Sequence, residues 1–175
     1  MILVPHKRYI MPVDVNKYLE RIGCEFKAKI SLEYLNELQS CHQLTVPFEN
    51  LDVFTGKKKI LEEDLLYEQI VINRRGGWCH ELNGLFSILL SKLGFDVKIV
   101  SCLHFDRDKN AFNTVAFDHM ALVVTIDYVQ YLVDVGYGWI NQHFKPLEMC
   151  TNTISNQVCM SIILSFQTIS ILSVC

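Results

Sequence analysis

The sequence predicts an α+β fold, with helices first and an antiparallel sheet after them, on three observations. Apolar residues recur at helical spacing as far as Gly94. From Phe95 onward they gather in short runs rich in Val, Ile, Leu and aromatic residues. The two patterns are segregated along the chain, which argues for helices beside an antiparallel meander and against alternating βαβ units.

The elements follow in order. Asp14 is placed to cap a helix carrying Val15, Tyr18, Leu19 and Ile22 at helical spacing, and Gly23 stands where a left-handed C-terminal residue is wanted. Ser31 opens a second amphipathic stretch, with Leu32, Leu35 and Leu38 on one side and Glu33, Asn36 and Glu37 on the other. Pro47 ends it, within VPFENLDVF. After a basic turn, Gly56 to Lys59, which reads as solvated, a third helix is predicted over Glu62 to Ile72, running into the break Arg74-Arg75-Gly76-Gly77. Beyond it Leu82, Leu85, Phe86, Leu89, Leu90 and Leu93 form the strongest helical repeat in the chain, a central buried helix stopped by Gly94. Strands are predicted at Val97 to Leu103, Met120 to Ile126 and Tyr131 to Val135.

The chain has 175 residues, half of them apolar, and 16 basic against 19 acidic side chains give a net charge of −3. That balance offers nucleic acid no basic footprint. Every charged residue lies at or before Glu148, so the last 27 residues carry none. Three regions result: a helical one at 11–94, a β region at 95–148 and a charge-free tail at 149–175, with the residues before Met11 an extension or an alternative start. Seven irregularly spaced cysteines suit reduced thiols better than a disulfide framework. No leader with a cleavage site is read at the start, and the apolar run Val158 to Cys175 is interrupted by polar residues and lacks basic flanks. A cytoplasmic monomer without membrane attachment is expected.

Cys79 follows Gly76-Gly77-Trp78 at the start of the central helix, where unpaired N–H groups and the helix dipole favour negative charge. Such a position lowers a thiol pKa, and paired glycines allow a tight turn that leaves the sulfur open. A buried structural cysteine is the alternative. A nucleophilic cysteine needs a base and a group to orient it. His119, before MALVV, and Asp134, within YLVDVGYG, are the candidates. Asp134 among Leu132, Val133 and Val135 reads as a carboxylate in a buried strand that requires a partner. Cys102 and His104 read as packed strand residues, since no second ligand pair stands at zinc spacing, so no metal site is assigned. His80 reads as a helix-surface residue. No phosphate loop or dinucleotide fingerprint occurs.

Four segments in order, VPFENLDV at 46–53, RRGGWCHELNGLF at 74–86, DHMALVV at 118–124 and LVDVGYG at 132–138, resemble the arylamine N-acetyltransferase family. Cys79, His119 and Asp134 stand 40 and 15 positions apart, as in the family's pattern, and the similarity runs from about Met11 to Glu148, FKPLE included. The resemblance implies a Cys-His-Asp enzyme that moves acetyl from the co-substrate acetyl-CoA to arylamines or arylhydrazines through an acetyl-cysteine. It implies a helical first domain, a β-barrel second domain and a cysteine-protease-like core. By motif position Cys79 is the nucleophile, His119 the base and Asp134 its orienting carboxylate. Phe48 and Tyr137 match pocket-lining aromatics, Val115 and Asp118 match positions approaching coenzyme A, and Glu49 and Arg75 match a structural ion pair. The family's third, α/β domain has no counterpart after Glu148, so the tail reads as the divergent end of a truncated product. For such a product the acyl-enzyme step is expected to survive, with amine acetylation weak and slow hydrolysis of acetyl-CoA in its place. An inactive or regulatory isoform is the alternative, and a Cys-His-Asp hydrolase of another kind is disfavoured by the flanking motifs.

Overall fold

The computed structural model describes residues 12–57, 59–106, 109, 111–112, 118–137, 145–149 and 162–165. Val115, residues 1–11 and most of the tail lie outside them.

Local chemistry sets the first two helices as the sequence anticipates. α1 (Val15–Ile22) begins where the Asp14 carboxylate accepts from the N–H groups of Asn16 and Lys17, at 2.9 and 3.2 Å. It ends at Gly23, whose φ of 69° lets the Cys24 N–H reach back to the Leu19 carbonyl. α2 (Leu32–Thr45) begins at Ser31, whose hydroxyl accepts from the Tyr34 N–H. Arg21, buried on α1, spans three segments: it donates to the carbonyls of Ile70, Thr45 and Arg74.

Two stretches depart from expectation. Within VPFENLDVF a single helical turn forms, α3 (Leu51–Phe54). The helix expected over Glu62 to Ile72 is present as α4 (Glu63–Tyr67) continuing into a π-helical turn, Glu68–Ile72. The wider turn sits where Arg21 takes the Ile70 carbonyl at 2.9 Å and the Gln69 side chain reaches forward to the Gly76 carbonyl at 2.8 Å.

α5 (Cys79–Lys92) is the axis of the fold. Leu82, Leu85, Phe86, Leu89 and Leu90 on it are fully buried, each worth about 1.5–3 kcal/mol of burial. Gly94, at φ 96°, turns the chain into the sheet. The strands are β1 (Asp96–Asp106), β2 (Ala111–Phe112), β3 (His119–Ile126), β4 (Val129–Val133), β5 (Leu147–Glu148) and β6 (Ile162–Ser165). All pairings are antiparallel, in the order β2-β1-β3-β4-β5, and β6 also pairs with β1. The β3–β4 hairpin turns through Asp127 and Tyr128, both at positive φ. β3 is buried on both faces. Leu122 and Val124 join the core around α5, and Ala121 and Val123 join a second cluster with Val100 and Cys102, which is why MALVV reads as an unbroken apolar run.

The sheet corrects three expectations. Among the described residues it stays open, β5 on one side and β2 and β6 both beside β1, so the closed β-barrel is not found. The third predicted strand, Tyr131 to Val135, is β4, and it stops at Val133. The Val135 N–H goes to the Asn83 side chain and the Gly136 N–H to the Asp134 carboxylate, so neither is left for a neighbouring strand. Asp134 therefore lies just past a strand end. The tail supplies β6, whose apolar Ile162, Ile163 and Leu164 run beside β1. Among the described residues no helix is long and apolar enough to cross a membrane.

The segment before α3 is stitched to the turn before α5. Phe48 and Gly77 form a parallel bridge, with the Glu49 N–H on the Gly77 carbonyl at 2.9 Å. A Cβ on Gly76 would stand 2.0 Å from the Pro47 carbonyl oxygen. Gly76→Ala is therefore expected to cost about 1–3 kcal/mol through forced backbone separation, read as a lowered urea midpoint at unchanged slope.

Candidate active site

Cys79 is the first residue of α5 and 7% exposed. The preceding Trp78 is extended, and Glu81 folds back to accept its N–H at 3.1 Å. Glu81 is itself held by Lys59, Nζ to Oε1 2.7 Å. Lys59 also meets Asp52, which Arg75 bridges to Glu49. The Glu49–Arg75 pair expected from sequence thus belongs to a longer relay that ends on the backbone of the nucleophile turn. Lys59, 15% exposed at its side chain, is not the solvated turn residue that was expected. The two carboxylates that accept its Nζ account for its place inside.

The structure brings Cys79, His119 and Asp134 together. Cys102 pairs with His119 across β1 and β3, which puts the imidazole at the first residue of β3, facing the start of α5. His119 Nε2 lies 2.5 Å from Asp134 Oδ2, and the imidazole is close enough to the Cys79 thiol to act on its charge. Asp134 Oδ1 accepts from Asn83 Nδ2 at 2.9 Å and from the Gly136 N–H at 2.8 Å. The Asp134 carbonyl accepts from Gln43 on α2 at 2.9 Å.

Sequence reasoning missed Asn83. It is fully buried one turn beyond Cys79. Its amide donates to the Met120 carbonyl and Asp134 Oδ1 and accepts from the Val135 N–H, tying α5, β3 and the loop after β4. The available signal was an amide on the face that Leu82, Leu85 and Phe86 bury, since a buried amide requires partners. Gly136 was also missed: a Cβ there would stand 2.6 Å from Cys79 Cα.

His80 is corrected as well. It is half-buried, with Nδ1 3.2 Å from Cys79 Sγ and its ring against Trp78 at a centroid distance of 4.6 Å. Tyr137 is half-buried with its ring 5.4 Å from that of His119, edge to face. Phe48 is 40% exposed beside the nucleophile turn, and Asp118 is exposed one residue before His119. Among the described residues no three His, Cys, Asp or Glu side chains converge as metal ligands do. A cavity of about 240 Å³ lined by Asp52, Lys59, Leu65, Gln69 and Arg75 includes none of the three converging residues.

The electrostatics favour an ion pair. Burial pushes the Cys79 thiol up, but the hydrogen bonds and charges of His119 and His80 outweigh it and bring it down to about 6. Burial pushes His119 down, but Asp134 and the Cys79 sulfur outweigh it and raise it to about 10. Between those limits the pair is thiolate and imidazolium, a nucleophile beside a proton donor. Cys102 shows the contrast: burial first, then the charges of Asp134 and Cys79, push its thiol up to about 12, so it is an inert packed residue.

Two outcomes follow. Asn83→Leu orphans the Met120 carbonyl and the Val135 N–H and should cost on the order of 3 kcal/mol in chemical denaturation. Asp134→Asn removes the charge that keeps His119 protonated, so the thiolate loses its cation. The midpoint of Cys79 alkylation by iodoacetamide should then move up by about one pH unit, measured on the Cys79 peptide by mass spectrometry.

Comparison with known proteins places the chain in a family. The N-acetyltransferase family pattern matches residues 31–169, passing beyond Glu148, the end of the resemblance carried by the sequence motifs. Arylamine N-acetyltransferase 2 of Mus musculus is 33% identical over 147 residues, 83% of this chain and 50% of the relative. The arylamine N-acetyltransferase of M. tuberculosis superposes with a TM-score of 0.77 at 27% identity, over 90% of this chain and 68% of its own. That of Bacillus cereus, described with a Cys-His-Glu catalytic triad, gives a TM-score of 0.70 at 32% identity, over 78% and 54%. The chain spans about half the length of the curated relatives it matches. With the family pattern running through the nucleophile turn, the sheet and the loop after β4, the chain belongs to the arylamine N-acetyltransferase family.

Proposed function

We propose that this chain carries the acetyl-cysteine chemistry of its family, moving acetyl from acetyl-CoA to an arylamine or arylhydrazine. The observation that carries the reading is the Cys79 thiol held between the start of α5 and the His119–Asp134 pair. In the first half, Sγ as thiolate attacks the thioester carbonyl carbon, and the carbonyl electron pair moves onto oxygen. The first N–H groups of α5 have no partner within the helix, and in this reading that oxygen accepts from them. The C–S bond to coenzyme A then breaks, and the departing thiolate takes the His119 proton. In the second half the amine nitrogen attacks the acetyl carbon. His119 takes the proton that the nitrogen sheds, the C–Sγ bond breaks, and Cys79 leaves as thiolate beside the restored imidazolium. Asp134 orients the ring and stabilises its charged form in both halves.

The Cys-His-Glu triad described for the Bacillus cereus relative supports a carboxylate in this third position, here Asp134. Phe48, exposed beside the nucleophile turn, and Tyr137, edge to face with His119, are proposed as surfaces for a planar amine, and Val115 and Asp118 are proposed to approach coenzyme A. Free thiols at Cys24, Cys41, Cys79 and Cys102 suit the reducing cytoplasm in which we place it.

Incubation with acetyl-CoA should add about 42 Da to the Cys79 peptide, the acetyl increment of an acyl-enzyme, with one coenzyme A thiol released. Cys79→Ser should give neither, and His119→Asn should slow acylation by roughly 10²–10⁴-fold. An adduct on another residue, or thiol release without an adduct, overturns the reading.

A further inference from the structure

Neighbours along a helix do not ordinarily face each other, yet His80 presents Nδ1 to the sulfur of Cys79 at 3.2 Å. Two features make this possible. Cys79 opens α5, so its side chain is not confined by a preceding helical turn. The Trp78 indole, one residue earlier, lies against the His80 ring at 4.6 Å with 33° between the planes, which fixes the direction of the imidazole. We propose that His80 is a second imidazole partner of the Cys79 thiolate, donating from Nδ1–H to Sγ and keeping that donor in place while His119 moves protons.

The donor assignment follows from the sulfur. A thiolate only accepts, so an unprotonated Nδ1 at this distance would set a lone pair against an anion, and the tautomer with the proton on Nδ1 is the one that fits. His119 cannot hold its proton throughout. In the chemistry proposed above, on which this inference rests, it gives the proton to coenzyme A and recovers it from the amine. His80 gives up nothing in either half. It supports the sulfur when it attacks and again when it leaves.

The other groups around Cys79 leave this role open. His119 from β3 is committed to Asp134, from the loop after β4. Cys102 from β1 is held neutral by burial. Glu81 on α5 is turned away to the Trp78 N–H and Lys59. Gly136 brings only backbone.

The test is the pH profile of Cys79 alkylation by iodoacetamide, resolved on the Cys79 peptide, for wild type, His80→Phe and His80→Asn. His80→Phe keeps a ring for Trp78 and removes both nitrogens. Its alkylation midpoint should rise by about one pH unit. His80→Asn, whose amide nitrogen can stand where Nδ1 stood, should recover part of the shift. In a His119→Asn background the midpoint should rise, and adding His80→Phe should raise it further, above the roughly 8.5 of an ordinary cysteine, because burial is then unopposed. An unchanged midpoint in His80→Phe overturns the proposal. So does a larger rise in His80→Asn than in His80→Phe, which would mark His80 as a ring packed on Trp78 and no donor. Alkylation needs no acetyl-CoA, so a shifted midpoint without acetyl-enzyme formation sinks the acetyl-transfer reading and leaves His80 standing. An acetyl-enzyme with an unshifted midpoint does the reverse.

Discussion

The Asn83 side chain is the interaction on which the site depends. Three bonds from one buried amide join the helix that carries Cys79, the strand that begins with His119 and the loop that carries Asp134. Each group it satisfies is a backbone or carboxylate atom that would be costly to bury alone. Because Asn83 is one turn from Cys79, helix geometry converts a hydrogen-bonding requirement into a fixed distance between sulfur and carboxylate. The same bonds end β4 early, so the strand terminus and the position of Asp134 have one cause.

A second constraint acts from the opposite side of α5. The relay from Glu49 through Arg75, Asp52 and Lys59 to Glu81 fixes the turn that precedes Cys79. The cations beside Asp52, Arg75 first and then Lys59, hold its carboxyl well below the usual carboxylate range. Glu81 is almost wholly buried, so its pairing with Lys59 prevents an uncompensated charge more than it supplies net stability. Its second oxygen, on the Trp78 N–H, holds the chain extended just before the helix begins.

What the sequence makes legible divides along a physical line. Caps and periodicity are local, so Asp14, Ser31, Gly23 and the α5 repeat could be read directly, and so could the strand-rich second half. The grouping of Cys79, His119 and Asp134 was legible because a thiol at a helix start and a carboxylate among apolar residues both ask for partners, although their meeting depends on register that no spacing displays. Lys59 and His80 were misread for the same reason. Whether a Lys is solvated or a His faces outward depends on Asp52, Glu81 and Trp78, whose positions follow from the folded chain. Asn83 was overlooked because one amide in an apolar repeat disturbs the periodicity too little to stand out. The barrel came from the resemblance and not from any residue pattern, and the strands described leave the sheet open.

Gly136 carries a consequence for access to the sulfur. Its backbone packs so closely on Cys79 Cα that even a methyl group would not fit, and His119 and His80 occupy the flanks of the sulfur. Among the described residues the sulfur is therefore backed by main chain on one side and flanked by imidazoles. For the chemistry proposed, acyl donor and acyl acceptor would both have to reach the one sulfur past those groups. The missing side chain at position 136 is what lets the loop after β4 close so tightly behind the thiol.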